Sequence, residues 1–178
     1  MDKPLLEVFL RKPEPSDLDA LLTQKNNPEV TKFLGGVARP RSRKDLEEWL
    51  EWHRCRTDEV LWSIICVEDG RCVGHAGLYK IDRVVRCAEF GIMVGDPSAW
   101  GQGVGYQATI LAISHGFSQE NLNRISLTVL DTNDRAIHLY QKVGFVEEGR
   151  LRQAQYRDGQ YVDLIAMGIL RHEFIHES

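Results

Sequence analysis

The sequence predicts an α/β domain: a mixed, mostly antiparallel sheet with one central parallel βαβ crossover and helices on both faces. Three observations predict it. Residues 60–94 hold three alternating, β-branched runs, the first two joined by the tight turn Asp69-Gly70, as in an antiparallel meander. A glycine-rich turn at 101–105 then enters an apolar helical pattern followed by the strand-like RISLTVL, which makes a single crossover unit. Last, two strand patterns meet across Asp158-Gly159 as a closing hairpin. With 178 residues the chain is long enough for one full core and too short for two of ordinary size, so residues 1–178 read as one domain.

Taken in order, residues 5–11 form a first strand. Ser16 with Asp19 three residues on reads as a capping-box variant that opens a short helix. A second helix opens at Ser42 with Asp45, and Leu46, Trp49, Leu50 and His53 share its inner face. Strands follow at 60–68, 71–80 and 88–94. Residues 106–119 fit a helix with Ala108, Leu111, Ala112 and Phe117 among its apolar positions, and 124–130 a strand. Asn133 caps the next helix, which carries Ala136, Leu139, Tyr140 and Val143 on one face, and Gly144 is placed to end it in the left-handed conformation. Strands at 145–156 and 161–170 complete the order β-α-α-β-β-β-α-β-α-β-β.

The composition, 43% hydrophobic and 27% charged, is that of a globular protein, and no apolar run approaches a membrane span. Asp2, Lys3 and Glu7 interrupt the first apolar stretch, which therefore lacks the core of a secretory signal. A cytoplasmic location without a membrane partner is expected. Cys55, Cys66, Cys72 and Cys87 fall in no paired short spacing, so reduced and mostly buried thiols are expected. His172 and His176 have no third ligand nearby, and no metal is expected. A net charge of −4 leaves no basic footprint for nucleic acid; the cluster ARPRSRK, residues 38–44, alternates with Pro and Ser as a loop does. A mildly acidic chain is better suited to cationic small molecules.

The segment AWGQGVGYQATILAIS poses the functional question. A strand, a glycine turn and a helix N-terminus together offer unpaired N–H groups and a dipole suited to a phosphate or pyrophosphate. Glycine lets the backbone approach a ligand and take positive φ, although a plain turn uses glycine for the same freedom. Residues 103–108 also match G-x-G-x-x-A, with Asp131 ending the next strand as a ribose-binding acid does. That dinucleotide reading fails on geometry: eight residues, 95–102, separate the strand from Gly103, and the second half-site is missing. No Gly-Lys-Ser or Gly-Lys-Thr follows, which excludes a nucleoside-triphosphate loop.

The segments AEFGIMVGDPSAWGQGVGYQA and LTVLDTNDRAIHLYQKVGF resemble the acyl-CoA site of the GNAT N-acetyltransferases, in the branch of RimJ and RimL that modifies ribosomal protein N-termini. The matching positions are Asp96-Pro97, the turn from Trp100 to Gly105, and Asn133, Ala136, Tyr140, Gly144 and Phe145. NNPEVTKFL and DGQYVDLIAMGIL extend the likeness toward both ends. The wider superfamily opens its loop with Gln or Arg where this chain has Trp100. Gln107 stands where the branch commonly has Glu, a change expected to leave the loop's backbone chemistry intact.

The resemblance implies acetyl-CoA as acyl donor and a primary amine as acceptor: a ribosomal or other protein N-terminus, a polyamine, an antibiotic or another small amine. It places Ile92, Met93 and Val94 of a splayed central strand on the pantetheine, and Gly101, Gln102, Gly103, Val104, Gly105 and Tyr106 around the pyrophosphate. Asn133 and Ala136 are further cofactor contacts. Tyr140 would be the general acid, since a phenol of pKa about 10 keeps its proton at neutral pH; helical pattern alone favours a core residue, and it is the surrounding motif that reverses this. Glu89, three residues before Ile92, is a candidate base, a substrate contact or a paired structural charge. The variable region 33–37 and the hairpin 156–161 would wall the acceptor. A monomer or homodimer is expected. A non-catalytic acyl-CoA-binding module is the alternative.

Overall fold

The structure, a computed structural model, describes residues 4–34 and 39–175. Its strands are β1 (Val8–Arg11), β2 (Val60–Cys66), β3 (Cys72–Asp82), β4 (Cys87–Val94), β5 (Arg124–Leu130), β6 (Val146–Arg157) and β7 (Gln160–Leu170). Its helices are α1 (Leu18–Lys25), the single turn α2 (Pro28–Thr31), α3 (Arg43–Arg54), α4 (Val104–Ser118) and α5 (Asp134–Val143). The strands make one seven-stranded sheet in the order β1-β2-β3-β4-β5-β7-β6. Every pair is antiparallel except β4 with β5. The expected class and the central crossover are both present.

Alternation along the strands sends apolar side chains to two cores. On one face, Val73, Ala76, Leu78, Phe90 and Ile125 pack with Ala108, Ala112, Ile113 and Phe117 of α4 and with Tyr140 and Val143 of α5. On the other, Ile65, Cys72 and Met93 meet Leu18, Leu21, Val30 and Leu46 of the first three helices.

The caps behave as expected at three helix ends and differ at one. Ser42 and Asp45 form the predicted capping box, with Ser42 N–H donating to the carboxylate at 2.7 Å and Asp45 N–H to the hydroxyl at 3.2 Å. Asn133 accepts from Ala136 N–H at 3.2 Å, and Gly144 ends α5 at φ 112°. Near Ser16, however, the organising residue is Asp17, whose carboxylate accepts from Glu14 N–H at 2.9 Å and from both Arg11 guanidinium nitrogens at 2.8 Å. A buried ion pair outweighs the exposed Ser16-Asp19 pattern. The turn α2, capped by Asn27, was not expected from periodicity, because four residues are too few to show any.

Cys66 and Cys72 are buried, Cys87 is half-buried and Cys55 is exposed, so two of the four thiols depart from the expected burial; none is in a disulfide. No described helix is long and apolar enough to cross a membrane, and no group of metal-ligating side chains occurs among the described residues. His176 and residues 35–38 lie outside the described residues.

Candidate active site

The parallel pair that defines the crossover is short. β4 and β5 pair only at Cys87–Arg124, Ala88–Ile125 and Glu89–Ser126. Beyond them the strands diverge, while β4 stays paired to β3 as far as Val94 and β5 to β7 as far as Leu130. The backbone from Phe90 to Val94 thus faces an opening where a sheet partner would be, and a buried unpaired peptide group is costly. Through this opening runs a cavity of about 550 Å³, lined by Gly91, Ile92, Met93 and Val94 from β4 and by Thr128, Val129 and Leu130 from β5.

At one end the cavity reaches the glycine turn. Gly101 and Gly103 sit at φ 79° and 78°, a conformation that L side chains rarely adopt, and Gly103 is the residue before the first turn of α4. The N–H groups of Val104, Gly105 and Tyr106 lie in that first turn, where no intrahelical carbonyl is available to them. Gly105 serves another purpose. A Cβ there would stand 2.8 Å from Leu139 Cδ1, so its absence lets α4 approach α5. The three glycines of the motif therefore answer two constraints, two by φ and one by packing.

Trp100 holds this turn to the strand. Its indole N–H donates to the Val94 carbonyl at 2.8 Å, its ring meets Phe33 edge-on at 6.3 Å, and the Arg135 guanidinium lies 5.6 Å above it. On α5, Arg135, His138 and Lys142 all line the cavity, and Lys142 Nζ lies 4.6 Å over the Tyr106 ring. Sequence reasoning missed these three. Their spacing of three and four residues on a predicted helix was the available signal, since it sets them on one face.

Tyr140 faces the same cavity from deeper in α5. It is 8% exposed, with Phe90 edge-on at 6.3 Å and Phe145 at 5.7 Å, and burial pushes its phenol up to about 12. The cavity is also lined by Val30, Phe33 and Leu34 and, from the last hairpin, by Gln155 and Leu164.

Of the residues singled out by sequence, Ile92, Met93, Val94, Gly101, Gly103, Val104, Gly105, Tyr106, Asn133, Ala136 and Tyr140 line this one cavity. Gln102 is not among the lining residues. Its carbonyl accepts Leu6 N–H at 3.0 Å and its amide is bonded to the Ser98 carbonyl, so it braces the turn from outside. Glu89 is also outside the lining; its carboxylate pairs with Lys80 at 2.9 Å and about half of it is exposed. From the last hairpin the cavity takes Gln155 and Leu164, whereas Tyr156 and Tyr161 meet each other edge-on, 5.0 Å apart and exposed.

A parted parallel strand pair with a helix N-terminus at one end suits a ligand that joins an anionic group to an extended polar arm. CoA has this form. The fit rests on this chain's own features: open β4 backbone, first-turn amides and the cations Arg135 and Lys142. Fold and site define an acyltransferase that uses acetyl-CoA. A sequence profile for the acetyltransferase (GNAT) domain matches residues 7–146, and the chain belongs to that family. Among curated relatives, spermidine N(1)-acetyltransferase of Escherichia coli (strain K12) is 38% identical over 171 residues, which span 96% of this chain and 89% of the relative. The Vibrio cholerae spermidine N(1)-acetyltransferase is 35% identical over 177 residues, 97% of this chain and 98% of the other. The crystal structure of spermidine N-acetyltransferase from Vibrio cholerae in complex with CoA and spermine superposes with a TM-score of 0.87 at 29% identity, covering 94% of this chain and 97% of that one.

Proposed function

We propose that the chain is an acetyl-CoA:amine N-acetyltransferase in which Tyr140 protonates the departing thiolate. The observation that carries this reading is that one cavity joins the α4 N-terminus, the open edge of β4 and the Tyr140 ring. Bound acetyl-CoA supplies an activated thioester. Backbone groups of Ile92, Met93 and Val94 pair with the pantetheine arm in place of a β5 ladder, and the amides of Val104, Gly105 and Tyr106 cradle the pyrophosphate. Asn133 caps α5 and thereby sets where Ala136 and Tyr140 stand along the cavity.

A phenol raised to about 12 by burial stays protonated throughout the physiological range, so it is poised to donate and not to accept. The acceptor must lose its own proton before attack. Val30, Phe33 and Leu34 at the acceptor side disfavour a desolvated ammonium and lower the pKa of a bound amine. Glu89, already paired with Lys80, is assigned a structural charge role, and the proton leaves to solvent.

Primary amines are the acceptor class. Polyamines, the substrates named for the relatives, and protein N-termini, ribosomal ones included, are the first to compare. The test is release of CoA thiol from acetyl-CoA with such a panel; CoA binding without release on any amine overturns the reading. A monomer or homodimer is the proposed state, and light scattering during chromatography checks it.

A further inference from the structure

The walls on the acceptor side bear on which amine is taken, an inference that rests on the transferase reading above. No Asp or Glu is among the residues that line the cavity. From Val30 to Lys44 the chain holds no carboxylate at all, yet it carries Lys32, Arg39, Arg41, Arg43 and Lys44. Two of those charges are answered: Arg43 pairs with Asp19 and Glu47, and Lys44 with Glu48. Lys32, Arg39 and Arg41 make no ion pair among the described residues.

The Asn26 side chain ties the Arg41 backbone to the end of α1, donating to its carbonyl at 2.8 Å and accepting its N–H at 2.7 Å, while Arg41 itself is exposed. From the opposite wall Arg157 donates to the carbonyls of Thr31, Lys32 and Leu34, which hold the guanidinium without cancelling its charge. Asp131 and Asp163, next in chain to the lining residues Leu130 and Leu164, share the one Arg150 guanidinium at 3.0 and 2.9 Å, and the other oxygen of Asp131 is buried without a hydrogen-bond partner outside the cavity lining. Glu29 and Asp158 are exposed and lie outside the lining. The remaining wall is apolar, and Phe33, 42% exposed, presents an aromatic face beside Trp100 at the mouth.

We infer that the acceptor is a primary amine on an apolar or aromatic body with no second cationic centre, and that polyamines are disfavoured. A polycation entering here would give up hydration with no lining carboxylate to replace it, near an Arg157 guanidinium held on the carbonyls of Thr31, Lys32 and Leu34. An aralkylamine and the α-amine of an aromatic residue at a peptide N-terminus present the same chemistry, and the assay separates them.

The test compares initial rates of the full chain at one acetyl-CoA concentration with phenethylamine, with an uncharged peptide amide that begins with Phe, and with spermidine. At least one of the first two is expected to exceed spermidine in kcat/KM by about tenfold or more, the low end of electrostatic selection at a charged cleft. The better of the two identifies the source. Rising ionic strength is expected to increase kcat/KM for spermidine alone, as repulsion is screened. The double variant Lys32→Glu/Arg41→Glu, at two exposed positions, is expected to shift the ratio toward spermidine by about tenfold. Spermidine turnover in the parent equal to or above both monoamines overturns the inference, as does an unchanged ratio in the charge-reversed variant. Acetylation of no amine, with CoA still bound, overturns the transferase reading and the inference with it.

Discussion

The side-chain amide of Gln107 donates to the Leu6 carbonyl at 2.9 Å while its oxygen accepts Val8 N–H at 3.4 Å, which ties the first turn of α4 to the start of β1. Only an amide can both give and accept here. Gln107→Glu places an acceptor against the Leu6 carbonyl and is expected to cost about 1–3 kcal/mol, the usual loss when a buried acceptor goes unpaired. Denaturant unfolding checks it. The penalty should shrink below about pH 4, where a protonated carboxyl regains its donor. The exchange of Glu for Gln in the motif thus leaves the loop amides in place but changes what holds them.

Gly103→Val and Gly105→Val are expected to lose CoA binding for different reasons. At Gly103 the side chain meets a φ of 78° and Leu5 Cδ2 at 2.8 Å, so the turn itself deforms. At Gly105, where φ is unstrained, it meets the tip of the Leu139 side chain between α4 and α5, which must turn aside, so any loss of melting temperature should be smaller than at Gly103. Thermal unfolding with and without CoA separates the two. CoA at about 100 times its Kd should stabilise the parent by about 2.7 kcal/mol, and NAD should not.

Tyr140→Phe keeps the ring between Phe90 and Phe145 and removes the hydroxyl. Single-turnover acetylation is expected to slow by about 10²-fold or more, the scale of a positioned general acid, with little change in Tm or CoA affinity. Wild-type turnover in this variant would sink the assignment. In the parent, the folded-state pKa of about 12 lies above the ordinary value of 10.0. The stability this group contributes is therefore complete below pH 10 and lost as pH rises toward 12, and Tyr140→Phe should abolish that part of the alkaline decline.

Asp17→Ala should be the most damaging change outside the cavity. Burial pushes this carboxyl up, but hydrogen bonds from Arg11, the Glu14 N–H and Ser63 outweigh it and leave its pKa below the usual carboxylate value. Removing the buried carboxylate leaves Ser63 and the Glu14 N–H without their acceptor and the partly exposed Arg11 with Glu14 at 4.0 Å, and is expected to cost about 1–3 kcal/mol. Because the folded pKa is depressed, the contribution is present above the unfolded value of about 3.9 and lost as pH falls through the folded one. Acid titrations of unfolding should converge for parent and variant at low pH.

The Asn133 cap, the left-handed Gly144 and the change from period two to period 3.6 at the glycine turn were legible in the sequence, because each is a local constraint expressed within a few residues. For the same reason the motif from Trp100 to Gly105 and the Asn133-to-Phe145 pattern located the cavity before any coordinates did. Asp17 was not legible, since its partners Arg11 and Ser63 come together only when β2 is laid beside β1. Which of the three roles open to Glu89 has a partner in the fold was not legible for a similar reason: Lys80, with which it pairs, sits on a neighbouring strand in a register that spacing does not reveal. Overall charge pointed toward cationic ligands, whereas the residues that line the cavity include no carboxylate. Sequence by itself determined the strands, the longer helices, their order and the glycine turn, all short-range properties of the chain. Tertiary structure alone decided which charges are already neutralised, where the strands part and what lines the cavity, because those depend on distances between residues far apart in sequence.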